Sequence, residues 1–196
     1  MIAAPSLFTG TDQFVRTSMG RRDLARLFAE MGFRVGAEIG VWEGAYSIEL
    51  CQANPALHLI CVDPWVSYDT WVDRKNRPKH DMNRIYERAR NVLQPYHCDI
   101  RRGFSADVVQ TIPDGSLDFV YIDGNHNYHA IAEDLRVWVP KVRSGGIVSG
   151  HDYRRYEKQP EIEVERAVNE YVAAHGIRPL VAFVGDKSPS FAWMVP

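Results

Sequence analysis

Four apolar runs in this chain each close on an acidic residue: Val35 to Glu38, Leu57 to Asp63, Leu117 to Asp123 and Ile147 to Asp152. They read as buried strands of an open parallel sheet. In such a sheet ligands sit beyond the carboxyl ends of the strands, so acids at several of those ends converge on one crevice although they lie far apart in sequence. The layout is that of a crevice able to hold a cofactor and a metal.

The segments between the acids keep the alternation of strand and helix. Leu24, Leu27, Phe28 and Met31 recur at helical spacing over residues 21–31, and Gly32 supplies the stop. A strand from Val35 to Ile39, a glycine-punctuated turn, a helix from Ala45 to Ala53 and a strand from Leu57 to Val62 make one βαβ unit. From Trp65 to Pro95 no strand pattern is visible, and an irregular insertion followed by a helix over Met82 to Leu93 is expected. Short strands follow around His97 to Ile100 and Leu117 to Ile122. Then come a helix from about Tyr128 to Val139 that Pro140 ends, and a strand from Gly146 to Gly150. The tail predicts a helix from about Glu161 to His175. Two further runs, Leu180 to Val184 and Phe191 to Val195, read as an antiparallel hairpin at one side of the sheet.

At 196 residues the chain suits one domain that buries roughly 70% of its unfolded surface without disulfides. A formal charge of -2 implies no bulk attraction to nucleic acid. Cys51, Cys61 and Cys98 are odd in number and lack C-x-x-C spacing, which predicts buried thiols and a reducing, cytoplasmic compartment. Residues 1–10 have no basic leader and no run approaching a membrane span, so neither secretion nor insertion is expected.

Gly36-Ala37-Glu38-Ile39-Gly40-Val41-Trp42-Glu43-Gly44 lacks the G-x-G-x-x-G spacing that suits a dinucleotide. Gly40 would let backbone approach a ligand, Gly44 would open the next helix, and that helix N-terminus would favour a carboxylate such as that of S-adenosylmethionine. Asp63 occupies the position that binds a ribose diol in nucleotide-binding α/β folds. Asp123 and Asp152 end strands expected to be adjacent, about 4.8 Å apart, so their carboxylates can share a hard divalent cation, with His151 a further candidate ligand. His151 and Asp152 can both reach one ion only if the strand has broken at Gly150. Without a cation, two such carboxylates would repel and raise one pKa.

With Glu38-x-Gly40-x-x-x-Gly44, Val62-Asp63-Pro64-Trp65, Ile122-Asp123-Gly124-Asn125-His126-x-Tyr128 and Gly145-Gly146 to His151-Asp152-Tyr153 in this order, the chain resembles class I S-adenosylmethionine-dependent methyltransferases. More narrowly, it resembles the metal-dependent O-methyltransferases of the macrocin O-methyltransferase and cephalosporin-hydroxylase-like group. The resemblance implies a doubly wound, mostly parallel seven-stranded sheet of Rossmann-like methyltransferase type with a C-terminal antiparallel hairpin. It implies one domain over residues 1–196 with an insertion at about 65–95.

The resemblance also implies roles. Glu38, Gly40 and Gly44 would hold the methionine end, Asp63 the ribose, and Trp65 with Gly103-Phe104-Ser105 would border the adenine. Asp123 and Asp152 would be metal ligands, with His151 where relatives often carry another acid; an imidazole there shifts preference from magnesium towards manganese or another transition metal. Asn125 stands where relatives often have an aspartate, and Asn takes no proton, so His126 becomes the general base beside Asp123. The expected reaction is methyl transfer to a hydroxyl of a sugar-containing or aromatic small molecule. Trp65, Tyr68, Trp71 and Tyr153 suit such a ring, between lids at 65–80 and 154–160. Two rivals stand beside it: a metal-dependent oxygenase or hydrolase, and a non-catalytic S-adenosylmethionine-binding module. The basic cluster Arg74 to Lys79 reads as a solvated loop rather than an RNA site. A homo-oligomer is compatible with the sequence.

Overall fold

The computed structural model describes residues 4–67 and 81–196. The aromatic residues Tyr68 and Trp71, the basic cluster Arg74 to Lys79 and most of the first expected lid lie outside the described residues.

Eight strands form one sheet: β1 (Phe14–Thr17), β2 (Val35–Ile39), β3 (His58–Asp63), β4 (Cys98–Arg102), β5 (Leu117–Ile122), β6 (Val142–Gly150), β7 (Leu180–Phe183) and β8 (Ser190–Met194). Their order across the sheet is β1-β7-β8-β6-β5-β2-β3-β4. All neighbouring pairs are parallel except those made by β8 with β6 and β7. The helices are α1 (Arg21–Glu30), α2 (Ala45–Ala53), α3 (Met82–Leu93), α4 (Ser105–Val108), α5 (Tyr128–Trp138) and α6 (Val164–His175). From β2 the chain winds outward to β3 and β4, then returns to β5 on the other side of β2. That reversal makes the β2–β5 boundary a topological switch point, where a crevice opens.

The expected count of seven strands is corrected to eight. The additional strand, β1, has four residues and only partial burial, too short and too exposed to carry a readable pattern. It pairs in parallel with β7, in register Phe14↔Leu180 to Thr17↔Phe183. The β7–β8 hairpin is therefore antiparallel as expected but lies inside the sheet edge. The strand expected from Gly146 begins at Val142, because a register shift against β5 between Leu117 and Phe119 and a left-handed Gly145 carry the pairing through. Helix α6 begins at Val164 rather than near Glu161, since the Glu163 amide donates to the His126 carbonyl instead. Pro140 ends α5 as expected, within a short 3-10 turn over Val139–Lys141.

Both faces of the sheet are covered, which accounts for the unalternating strand runs. Along β5, Phe119 and Tyr121 enter one apolar cluster with α1 and α2, while Val120 and Ile122 enter the other with α5 and α6. Phe28 stacks on Phe119 at 4.1 Å between ring centroids. Gly36 is the cross-strand partner of Phe119, and the ring lies over the bare α-carbon, where an added Cβ would fall within it. Gly36→Ala is accordingly expected to destabilise the fold by about 1 to 3 kcal/mol through forced movement of this packed ring; unaltered urea unfolding would show that the aromatic layer yields freely.

Candidate active site

The crevice at the switch point is a cavity of about 410 Å³, within the range of small-molecule sites. Its walls come from the β2–α2 turn, the C-terminal ends of β3 and β5, the start of α4 and the first turn of α1.

The β2–α2 turn is an unusual backbone path. Gly40, Trp42 and Gly44 all have positive φ, at 91°, 53° and 84°. Trp42 is the costly one, because a bulky residue rarely adopts the left-handed region. Asp63 holds this path: its carboxylate accepts from the amides of Val41 at 3.1 Å, Trp42 at 2.9 Å and Trp65 at 2.7 Å. The Trp65 indole adds a bond to the Trp42 carbonyl at 2.9 Å. Burial raises the Asp63 pKa in spite of its three amide donors.

Of the residues assigned to the cofactor, Glu38, Gly40, Asp63, Phe104 and Ser105 line the cavity. Gly40 does so because its α-carbon rests against the Asp123 carbonyl, where a Cβ would collide with backbone. Gly44 opens α2, but the direction of its missing side chain leads to Val92 and Leu93 of α3. Gly103 donates to the Asp63 carbonyl and faces Val108. Trp65 does not border the cavity: its side chain is fully buried against Tyr86, at 4.9 Å between rings. Of the lining aromatics Trp42, Tyr46 and Phe104, the exposed one is Phe104, at 47%.

Two lining residues escaped the sequence reading. Arg21, in the first turn of α1, lies 5.1 Å over the Tyr46 ring and 3.8 Å from Glu49. Burial acts to lower its pKa, but the fields of Tyr121, Glu49 and Asp123 outweigh it and raise it. A cation at a helix N-terminus opposes the helix dipole, which was a legible sign that something else holds it there. The second is Asp134, which shares the buried face of α5 with Ile131, Leu135 and Trp138. An acid on a core stripe is the corresponding sign. Its carboxylate accepts from the Ser105 hydroxyl, which in turn accepts from the Trp138 indole at 3.4 Å. Burial lifts Asp134 to about 6.

Glu38 is 2% exposed and accepts a hydrogen bond from Ser47. Burial lifts its pKa to about 8, and the nearby charge of Asp123 adds to the rise.

At the other end of the cavity β5 delivers Asp123, and the loop after it His126, both in the lining. Strand β6 stops at Gly150 and Asp152 turns to φ 56°, so that His151 and Asp152, which are not lining residues, come beside Asp123 and His126. His126 Nε2 lies 3.3 Å from Asp123 and 3.2 Å from Asp152; His151 Nδ1 lies 3.7 Å from Asp123 and 3.3 Å from Asp152. Among the described residues, the set whose donor atoms come within 4.8 Å of one another is Asp123, His126 and Asp152. His126, read from sequence as base, thus stands with the two carboxylates, and His151 sits beside them. The expected repulsion between the carboxylates is not what the geometry produces. Burial pushes Asp152 up, but the His151 hydrogen bond, the His126 charge and a hydrogen bond from Tyr156 hold it well below the usual range. His151 is raised: burial opposes this, and its bond to Asp152 and the Asp123 charge prevail.

The shifts of the cavity acids and of His151 give contributions of one sign above about pH 5. Between about pH 4.3 and 8 the folded chain keeps the Glu38 proton that the unfolded chain has released, so stability falls as pH rises. Asp134 acts alike over the lower part of that window. The His151 pair is fully present below about pH 6.5 and is lost as pH rises through its raised value, whereas Asp152 contributes above about pH 3.9 and fails only in strong acid. Comparing the cofactor-free protein with Glu38→Gln separates this contribution from that of Cys98, whose lowered pKa acts with the opposite sign: the urea stability of the wild type relative to the variant should fall by about 1 kcal/mol or more between about pH 5.5 and 8. An unchanged difference would mean that Glu38 is ionised in the fold.

A family model described as a methyltransferase domain matches residues 37–153. That stretch runs from β2 to the residue after Asp152 and contains all four strand-end acids. The uncharacterised protein R132 of Acanthamoeba polyphaga mimivirus is 30% identical over 142 residues, 69% of this chain and 58% of the relative. The chain thus spans less than two thirds of that relative's length. Among solved structures, an O-methyltransferase from Bacillus cereus in complex with SAH superposes with a TM-score of 0.66 at 17% identity, over 88% of this chain and 79% of that one. TomG of Streptomyces achromogenes, an O-methyltransferase involved in tomaymycin synthesis and solved with SAM, gives 0.61 at 19% identity, over 90% and 80%. Identities this low establish the fold. The chain belongs to the methyltransferase domain family, and it has the Rossmann-like architecture of the class I S-adenosylmethionine-dependent enzymes.

Proposed function

We propose that this domain transfers the methyl group of S-adenosylmethionine to a hydroxyl of a small molecule, with a divalent cation held at Asp123 and Asp152. The observation that carries the reading is that one cavity joins a cofactor-type strand–turn–helix, organised by Asp63, to a carboxylate–histidine cluster at the neighbouring strand ends. Family membership supports the donor, and the solved relatives with SAH and SAM support its place in this fold.

The residues divide the work by charge. The Arg21 guanidinium suits the amino-acid carboxylate of the donor, and Glu38, deprotonated on contact with a cation, suits its ammonium. Asp63 Oδ1 accepts one backbone amide and retains capacity for a ribose hydroxyl. Phe104 offers an aromatic face to the adenine, and Ser105 and Asp134 offer hydrogen-bonding groups beside it. When bound, S-adenosylmethionine supplies an electrophilic methyl group, so the protein's task is to align an acceptor oxygen and remove its proton.

His126 is placed for that proton, with two carboxylates within 3.3 Å to stabilise the imidazolium that forms. The donor set also fits a cation: two carboxylates and an imidazole, part-buried and within 4.8 Å of one another. A divalent cation there would lower the pKa of an acceptor hydroxyl. A nitrogen lone pair given to a metal is closed to a proton, so in that arrangement Asp123 and Asp152 hold the ion and the histidine that remains uncoordinated serves as base.

Calorimetry is expected to show binding of S-adenosylmethionine and S-adenosylhomocysteine and none of NAD. Arg21→Ala should weaken cofactor binding about 10- to 100-fold with the fold intact; NAD binding in preference would overturn the donor assignment. Methyl transfer to a screened hydroxyl acceptor should fall on chelation and return with manganese or magnesium, and Asp123→Asn should abolish that rescue while leaving cofactor binding largely intact. Full activity in excess chelator would leave a metal-independent methyltransferase in which His126 is the base, and His126→Ala should then slow turnover about 10²- to 10⁴-fold.

A further inference from the structure

The three cysteines come together outside the cavity lining, near the opening end of the edge strand β4, with Cys61 the cross-strand partner of Glu38. Cys51 lies in the last turn of α2 and Cys98 is the first residue of β4, and their sulfurs are 3.7 Å apart. Cys61, on β3, faces the same apolar cluster as both, and its thiol donates to the Leu59 carbonyl at 3.9 Å. Cys51 and Cys61 are buried, whereas Cys98 is partly exposed on a strand that has no neighbouring strand on its outer side among the described residues. Beside it the rings of His58 and His97 stack at 4.3 Å. The three sulfurs do not reach the mutual spacing of a metal-ligand set, which among the described residues Asp123, His126 and Asp152 attain. None of this is used by the methyl-transfer reading.

We propose that Cys98 and Cys51 form an oxidant-sensitive dithiol, closed to a disulfide by hydrogen peroxide that enters at the exposed edge of β4. Cys98 is the attacking sulfur. The thiols of Cys51, 3.7 Å away, and of Cys61 favour its thiolate, burial opposes this, and His97 and His58 add to the stabilisation. The same contacts raise Cys51 and Cys61, which stay protonated. The Cys98 thiolate attacks the terminal peroxide oxygen, the O–O bond breaks, and one water leaves after protonation, giving a sulfenic acid at Cys98. Cys51 then gives up its proton and attacks the Cys98 sulfur; the S–S bond forms as the S–OH bond breaks, and hydroxide leaves with that proton as a second water. Two thiols lose two electrons and the peroxide gains them. A dithiol reductant reverses the step.

Cys51 rather than Cys61 is the partner because of what holds each sulfur. A disulfide needs the sulfurs at about 2.05 Å, so one side must move inward by about 1.7 Å. Cys51 sits two residues before a helix end that can give. Cys61 is fixed in the middle of β3 by backbone pairing to both β2 and β4.

The test uses the native, full-length chain. Iodoacetamide should label Cys98 about tenfold or more faster than Cys51 or Cys61. Equimolar hydrogen peroxide should lower the intact mass by about 2 Da, the two hydrogens lost, and dithiothreitol should restore it. Peptide mapping should find the Cys51–Cys98 crosslink and no other. In Cys51→Ser the crosslink should vanish and Cys98 sulfenic acid should accumulate, trapped by dimedone, while Cys61→Ser should still crosslink. A Cys61–Cys98 link, an intermolecular disulfide, or oxidation confined to urea-unfolded protein would overturn the assignment, and the wild-type mapping decides this whether or not the variants fold.

Discussion

One carboxylate holds the cofactor end of this molecule in shape. Asp63 ends β3, yet its three backbone donors come from the loop after β2 and from its own turn, so it joins two crossover connections at the point where a ligand must enter. The left-handed Trp42 can persist only because those bonds, and the Trp65 indole below them, over-determine the path. A loop held by amide-to-carboxylate bonds presents its remaining groups in fixed directions before anything binds. Little ordering entropy then remains to be lost on binding.

The sequence was most legible where physics acts on strands. Runs such as Leu117 to Ile122 carry apolar residues at both parities because both faces are covered, and their boundaries matched within a residue or two except at the start of β6, four residues before Gly146. The acids that close them converged as strand-end residues in an open sheet must. What escaped was whatever depended on neighbours remote in sequence. Strand β1 exists because β7 offers it an edge, not because four half-exposed residues demand extension. Trp65 could not be read as buried, since the hole it fills is made by Trp42 and Tyr86. His126 and His151 were both visible, but which would stand with the carboxylates depended on the turn at Asp152, a torsion no pattern encodes.

Burial pushes every acid in and beside the cavity towards neutrality, and their partners decide which of them yield. Glu38 and Asp134 are apolar-walled acids pushed towards neutrality. Asp152, equally an acid in a part-buried site, is driven the other way by two imidazoles and a phenol. The distinction is one of partners rather than depth. It lets a pocket be mildly polar where an adenosyl group would rest and strongly ionic where a proton must move.

Gly40 touches the Asp123 carbonyl so closely that no side chain fits between them, and the Asp123 amide donates to the Ile39 carbonyl at 2.7 Å. The turn that would cradle one ligand and the residue that would hold the other are therefore a single mechanical unit. Two ligands sharing such a unit are bound to reciprocity: if occupancy of one half tightens the other by some factor, the converse tightening is the same factor.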